Sequence, residues 1–108
     1  MPLNPRSGRP RRRAAEQVRA TQPMCWICGE WIDQALDRHR DPMGSTIDEV
    51  VPVSFGGSTT DPANLRHAHR VCNVFRGDRP VTPDLVASLR RHRAARPARS
   101  DRSATHAW

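Results

Sequence analysis

The chain has 108 residues and a formal net charge of +7, and its eighteen basic side chains are all arginine. Ten prolines, six glycines and only three Trp and two Phe exclude a large continuous core, so one small domain is expected, and it needs a staple. Three cysteines exclude a closed disulfide framework, the opening Met1-Pro-Leu-Asn-Pro-Arg is no apolar secretory segment, and no apolar run approaches membrane-spanning length; the expectation is a cytoplasmic protein without membrane contact.

Charge is unevenly spread. Residues 1–23 carry six Arg and one Glu (+5), residues 24–80 six Arg and eight acids (−2), and residues 81–108 six Arg and two Asp (+4). A mildly acidic module thus lies between two basic arms. That balance suits a partner rich in phosphate, with some of the acids holding a divalent cation.

In chain order, residues 1–10 are proline-rich and polar and are expected to be disordered. Residues 11–20 favour a helix that ends before Pro23 and forms on DNA. Cys25-Trp-Ile-Cys28-Gly29 reads as a knuckle turn, with Gly29 supplying a positive φ. Glu30–Asp33 reads as a short extended piece, with Asp33 capping a turn through Leu36. The β-branched run Thr46–Val51, stopped by Pro52, predicts one strand of a hairpin; Ser54–Pro62 is a loop and Asn64–Arg66 the return strand. A helix is expected from His69 onward. Thr82-Pro-Asp-Leu85 starts another, with Thr82 as N-cap, a stripe of Leu85, Val86 and Leu89, a basic end at Arg90, Arg91 and Arg93, and a stop before Pro97.

Two i, i+3 pairs, Cys25/Cys28 and His69/Cys72, provide the four soft ligands of a tetrahedral structural zinc, and His69 fills the place the odd cysteine count leaves open. Asp48, Glu49, Asn64 and Asn73 lie between or just after these pairs. They carry hard oxygen donors of the kind that bind Mg2+ or Mn2+ rather than zinc. Because i, i+3 and i+4 share a helix face, Cys72 and Asn73 must splay to adjacent faces of their helix.

Taken in order, Asp48-Glu49-Val50-Val51-Pro52, Gly56-Gly57, Asn64-Leu65 and His69-Arg-Val-Cys72-Asn73 inside the cysteine knuckles resemble the HNH endonuclease family, over about Cys25 to Arg79. The resemblance implies a small α+β fold: a ββα-metal module stapled by a Cys3His zinc over residues 24–80. A partly disordered basic arm (1–23) would precede it, and a C-terminal helix and basic tail (81–108) would follow. It implies that Asp48 and Asn73 hold a catalytic Mg2+ or Mn2+, that Asn64 orients the loop and the general base, and that Cys25, Cys28, His69 and Cys72 hold the zinc. Glu49 stands where the family usually has a histidine. A carboxylate is ionised at neutral pH and serves as a weaker general base, or joins Asp48 on the metal. His39 and His67 are alternative imidazole sources, read first as surface or phosphate-contacting residues. Trp26 and Trp31 are expected to cover the zinc.

Arg11, Arg12, Arg13, Arg70, Arg76, Arg90, Arg91 and Arg93 are the expected phosphate contacts on DNA. Small HNH proteins of this layout resemble those of bacteriophages and their actinobacterial hosts, which implies work beside a phage terminase or another DNA-processing protein, in genome packaging or restriction. The alternative is a catalytically silent zinc module that binds nucleic acid as an accessory protein.

Overall fold

The computed structural model describes residues 6–95; the expectations for residues 1–5 and for the tail beyond residue 95 lie outside them. The order is helix α1 (Arg9–Thr21), strand β1 (Ser45–Glu49), strand β2 (Leu65–His69), helix α2 (Arg70–Arg76) and helix α3 (Pro83–Ala95), with single 3-10 turns at Val53–Phe55 and Pro62–Asn64. This is a small α+β chain: three helices and one two-stranded antiparallel sheet.

Helix α1 buries Arg11, Ala14, Ala15 and Val18, the i, i+3, i+4, i+7 stripe of an amphipathic helix. The two alanines let the backbone approach the hairpin closely, and Ala14, Ala15 and Val18 close a small core with Ile47 and Leu65. Residues 9–21 form a helix packed on the hairpin, so the helix suggested to form on DNA has an internal partner as well. The reason is the alanine–valine stripe hidden among the arginines.

In the hairpin, Ser45 pairs with His69, Ile47 with His67 and Glu49 with Leu65. Strand alternation puts Ser45, Ile47 and Glu49 on the α1 side and Asp48 on the other, so the neighbouring acids Asp48 and Glu49 point apart. The predicted strand to Val51 is shorter: Val50 N–H still bonds the Asn64 carbonyl (2.9 Å), but the Arg76 guanidinium takes the carbonyls of Glu49 and Val50 (2.7 and 2.9 Å). The return strand begins one residue later than expected and runs on to His69, where α2 starts. In the connecting loop a Cβ on Gly57 would sit 1.7 Å from the Val51 carbonyl oxygen, so only glycine fits there.

The cysteine knuckle is closed by the Met24–Trp31 bridge and by Gly29 N–H to Cys25 O (2.9 Å), and Gly29 has the expected positive φ of 82°. Asp33 Oδ1 accepts from Ala35 N–H, which makes the expected turn. Thr82 caps α3 through Leu85 N–H (3.1 Å), and Leu85 and Leu89 are its buried positions. The second core gathers Ile27, Ile32, Ala68, Val71 and Leu89 around the three cysteines. Among the described residues no helix is long and apolar enough to cross a membrane.

Candidate functional site

Cys25, Cys28, His69 and Cys72 converge with their ligand atoms all within 4.8 Å of one another, and all four are buried. The knuckle supplies the first pair, and the β2–α2 junction the second, because His69 is the last strand residue and Cys72 lies in the first turn of α2. His69 Nδ1 lies 3.3 Å from Cys28 Sγ and 3.7 Å from Cys72 Sγ. A tetrahedral zinc with bonds of about 2.3 Å to sulfur and about 2.0 Å to nitrogen would set such edges at roughly 3.5 Å. The other ring nitrogen, Nε2–H, donates to the Trp31 carbonyl (3.0 Å), which fixes the tautomer that leaves Nδ1 free to ligate. Hydrogen bonds with Cys28 and Cys72 hold the Cys25 thiol low, while bonds to Cys25 and Cys28 push the Cys72 thiol up, so the buried sulfurs compete for protons that a cation would displace. Burial opposes charge on His69, but its bonds to Cys25 and Cys28 outweigh that and push it up to about 10. The cluster fits a structural zinc.

A cleft of about 1230 Å³ between α1, the end of β1 and α2 collects Asp48, Glu49, Asn73 and His39 within a surround of arginines. Asn73 and Cys72 do splay: Cys72 is buried in the zinc core, and half-buried Asn73 opens on the cleft. Asp48 is buried and its Oδ2 accepts two bonds, from Trp26 Nε1–H (3.0 Å) and Arg76 Nη1–H (2.9 Å). Burial lifts its pKa, against the pull of Arg76 and Trp26. Glu49 is buried under two guanidinium groups: Arg6 Nη2 meets Oε1 at 2.9 Å and Arg6 Nε meets Oε2 at 3.1 Å, while Arg11 Nη2 lies 3.3 Å from Oε2. Asn64 braces the loop with three bonds, Oδ1 accepting from Val51 N–H (2.9 Å) and Nδ2 donating to the carbonyls of Val51 (3.1 Å) and Ser58 (2.8 Å).

Several expected roles move. Arg76 does not face solvent; it is buried between Asp48 and the Glu49 and Val50 carbonyls, with its guanidinium 5.1 Å from the Trp26 ring centre. Arg11 is likewise inward, bonded to the Thr59 carbonyl (3.0 Å) and paired with Glu49. Both serve as buried partners of the acids, because two desolvated carboxylates demand cations beside them. Arg12 lines the cleft and Arg13 is exposed. Arg70 is exposed, with Nη1 on the Arg40 carbonyl. Arg90, Arg91 and Arg93 lie on α3, away from the cleft, where Arg90 reaches the Cys28 carbonyl and Arg93 pairs with Glu30 (3.3 Å).

His67 is not a surface residue. It is fully buried under α1, its Nδ1–H on the Gln22 carbonyl (2.6 Å) and its Nε2 accepting from Ser45 O–H (2.7 Å), while Ser45 Oγ accepts from Arg19 Nε–H (2.9 Å). Desolvation lowers its pKa and keeps the ring neutral for that chain of bonds. Exposed His39 does line the cleft. Trp26 packs on the zinc core as expected, whereas Trp31 is 63% exposed and contributes its backbone carbonyl alone.

Sequence reasoning missed Arg6, Arg19 and Arg38, all cleft-lining. The only signal for them was the count of acids in the module that need partners, which does not say which arginine answers. No protein-family model matches the chain, and neither curated proteins nor solved structures yield a match.

Proposed function

We propose that the protein is a divalent-metal-dependent DNA endonuclease of the HNH type, hydrolysing phosphodiester bonds at the cleft, with the Cys3His zinc as its structural staple. The observation that carries the reading is the meeting of Asp48, Glu49 and Asn73 in one arginine-lined cleft behind that staple. The motif order noted in the sequence adds to it.

The oxygen donors of Asp48 and Asn73 have the chemistry to hold Mg2+ or Mn2+, which would supply charge stabilisation to the scissile phosphate and the departing oxygen. Arg12, Arg19 and Arg38 draw polyphosphate into the cleft. Glu49 accepts the proton of the attacking water, oriented by Arg11 on its Oε2. Asn64 holds the loop that forms one wall of the cleft. DNA is the substrate and cytoplasm the compartment under this reading, with a phage terminase or similar DNA-processing protein as the partner class.

One observation favours the silent DNA-binding module instead: both acids already have arginine partners, Asp48 with Arg76 and Glu49 with Arg6 and Arg11. Plasmid cleavage with Mg2+, Mn2+ or chelator, comparing the wild type with Glu49→Ala and Asn73→Ala, separates the two. Metal-dependent nicking or linearisation that both variants lose is the expected result. DNA retention with no cleavage under any metal would establish the silent module.

A further inference from the structure

Guanidinium groups contact both oxygens of Glu49 and compete with any water for them, and the two arginines that supply these contacts are placed differently. Arg11 is anchored: it is buried, set in α1, and also bonded to the backbone of the loop at Thr59. Arg6 is not part of a helix, precedes Gly8 (φ 98°), and keeps half of its side chain exposed. It meets Glu49 as a fork, Nη2 on Oε1 and Nε on Oε2, and it lines the same cleft. A planar fork that fits a carboxylate also fits the two free oxygens of a phosphodiester, and both partners carry one negative charge. Half of the Arg6 side chain is open to solvent, so an entering phosphate can reach its guanidinium, while Arg11 remains beside Glu49 to balance its charge.

From this geometry we infer that Arg6 is a phosphate-binding residue of the cleft that is parked on Glu49 in the free protein and passes to a DNA phosphate when the substrate enters. The transfer takes Arg6 Nη2 off Oε1 of Glu49 and leaves Oε2 held by Arg11, so substrate binding itself exposes one oxygen of the base and keeps the other oriented. The inference rests on the nuclease reading for the use of that oxygen. It stands on binding alone for the exchange.

The test is binding of the full chain to a duplex oligonucleotide, without added Mg2+ or Mn2+, across a salt series. Arg6→Ala should lower the log–log salt slope by about 0.9, one phosphate contact, and weaken binding. Glu49→Gln, which releases Arg6 from its carboxylate, should tighten binding several-fold, and the Arg6→Ala/Glu49→Gln double variant should lose that gain, because the two residues act on each other. If Glu49→Gln folds poorly, the Arg6 Nε–H resonance of the wild type gives a second readout and should shift on adding DNA. An Arg6→Ala slope equal to wild type, or a gain from Glu49→Gln that survives in the double variant, would overturn the proposal. Failure of the nuclease reading shows separately, as a wild type that binds DNA and cuts none with Mg2+ or Mn2+.

Discussion

The cysteine–histidine corner and the cleft share the hairpin and α2 but are built by opposite logic. At the corner, each pair of ligands is three residues apart and shares one local turn, so the backbone does most of the assembly. In the cleft, the acids Asp48 and Glu49 are matched by Arg6, Arg11 and Arg76, partners 28 to 43 positions away for the bonds from Arg76 and Arg6. A buried ion pair returns little net stability, since desolvation consumes most of the Coulomb gain. Under the proposed nuclease reading, the corner builds the molecule and the buried charges of the cleft serve chemistry rather than stability.

That division breaks most visibly if the zinc is removed. Cys72→Ser, or strong chelator on the wild type, should collapse amide dispersion in NMR, because structural zinc in small modules supplies about 10–16 kcal/mol of apparent binding free energy. A dispersed spectrum without metal would place the stability elsewhere.

In the cleft the largest structural effect should follow from breaking one ion pair on one side only. Arg76→Ala strands Asp48 and leaves the carbonyls of Glu49 and Val50 without their donor, so denaturant titration should show a loss of about 3–5 kcal/mol with zinc still bound. Glu49→Gln keeps the shape and removes the base; single-turnover cleavage should slow by about 10²–10⁴-fold, the range for a positioned general base. If His39→Ala slows cleavage instead and Glu49→Gln does not, the exposed imidazole in the cleft is the base. The smallest effect should come from the buried chain under α1: Ser45→Ala leaves His67 Nε2 and Arg19 Nε without their partner and should cost about 1–3 kcal/mol by thermal or denaturant unfolding.

The same contrast explains what could be read in advance. The ligand pairs, the hairpin, the Thr82 cap and the glycine-dependent turn at Gly29 are local, set by residue type and spacing. Asn64 is legible for the same reason, as the residue that closes the loop against Val51 and Ser58. The docking of α1 was masked because arginines outnumber its apolar residues, and only the Ala14, Ala15 and Val18 spacing betrays a buried face. The choice of Arg11 and Arg76 as inward partners, and of Arg6 as the outer one, depends on tertiary proximity that composition does not carry. His67 illustrates the reverse error, since its place in a polar run reads as a surface or phosphate-contacting residue but here it satisfies a buried hydrogen-bond chain.

The central claim, that the corner builds and the cleft reacts, is tested most directly by Asn73→Ala, which touches the cleft and sits one residue from a zinc ligand. Zinc stoichiometry and Mg2+-dependent plasmid cleavage should be measured on the same sample. One zinc per chain with a wild-type spectrum and no cleavage is the predicted result. Cleavage at the wild-type rate, or loss of zinc along with activity, would contradict the separation.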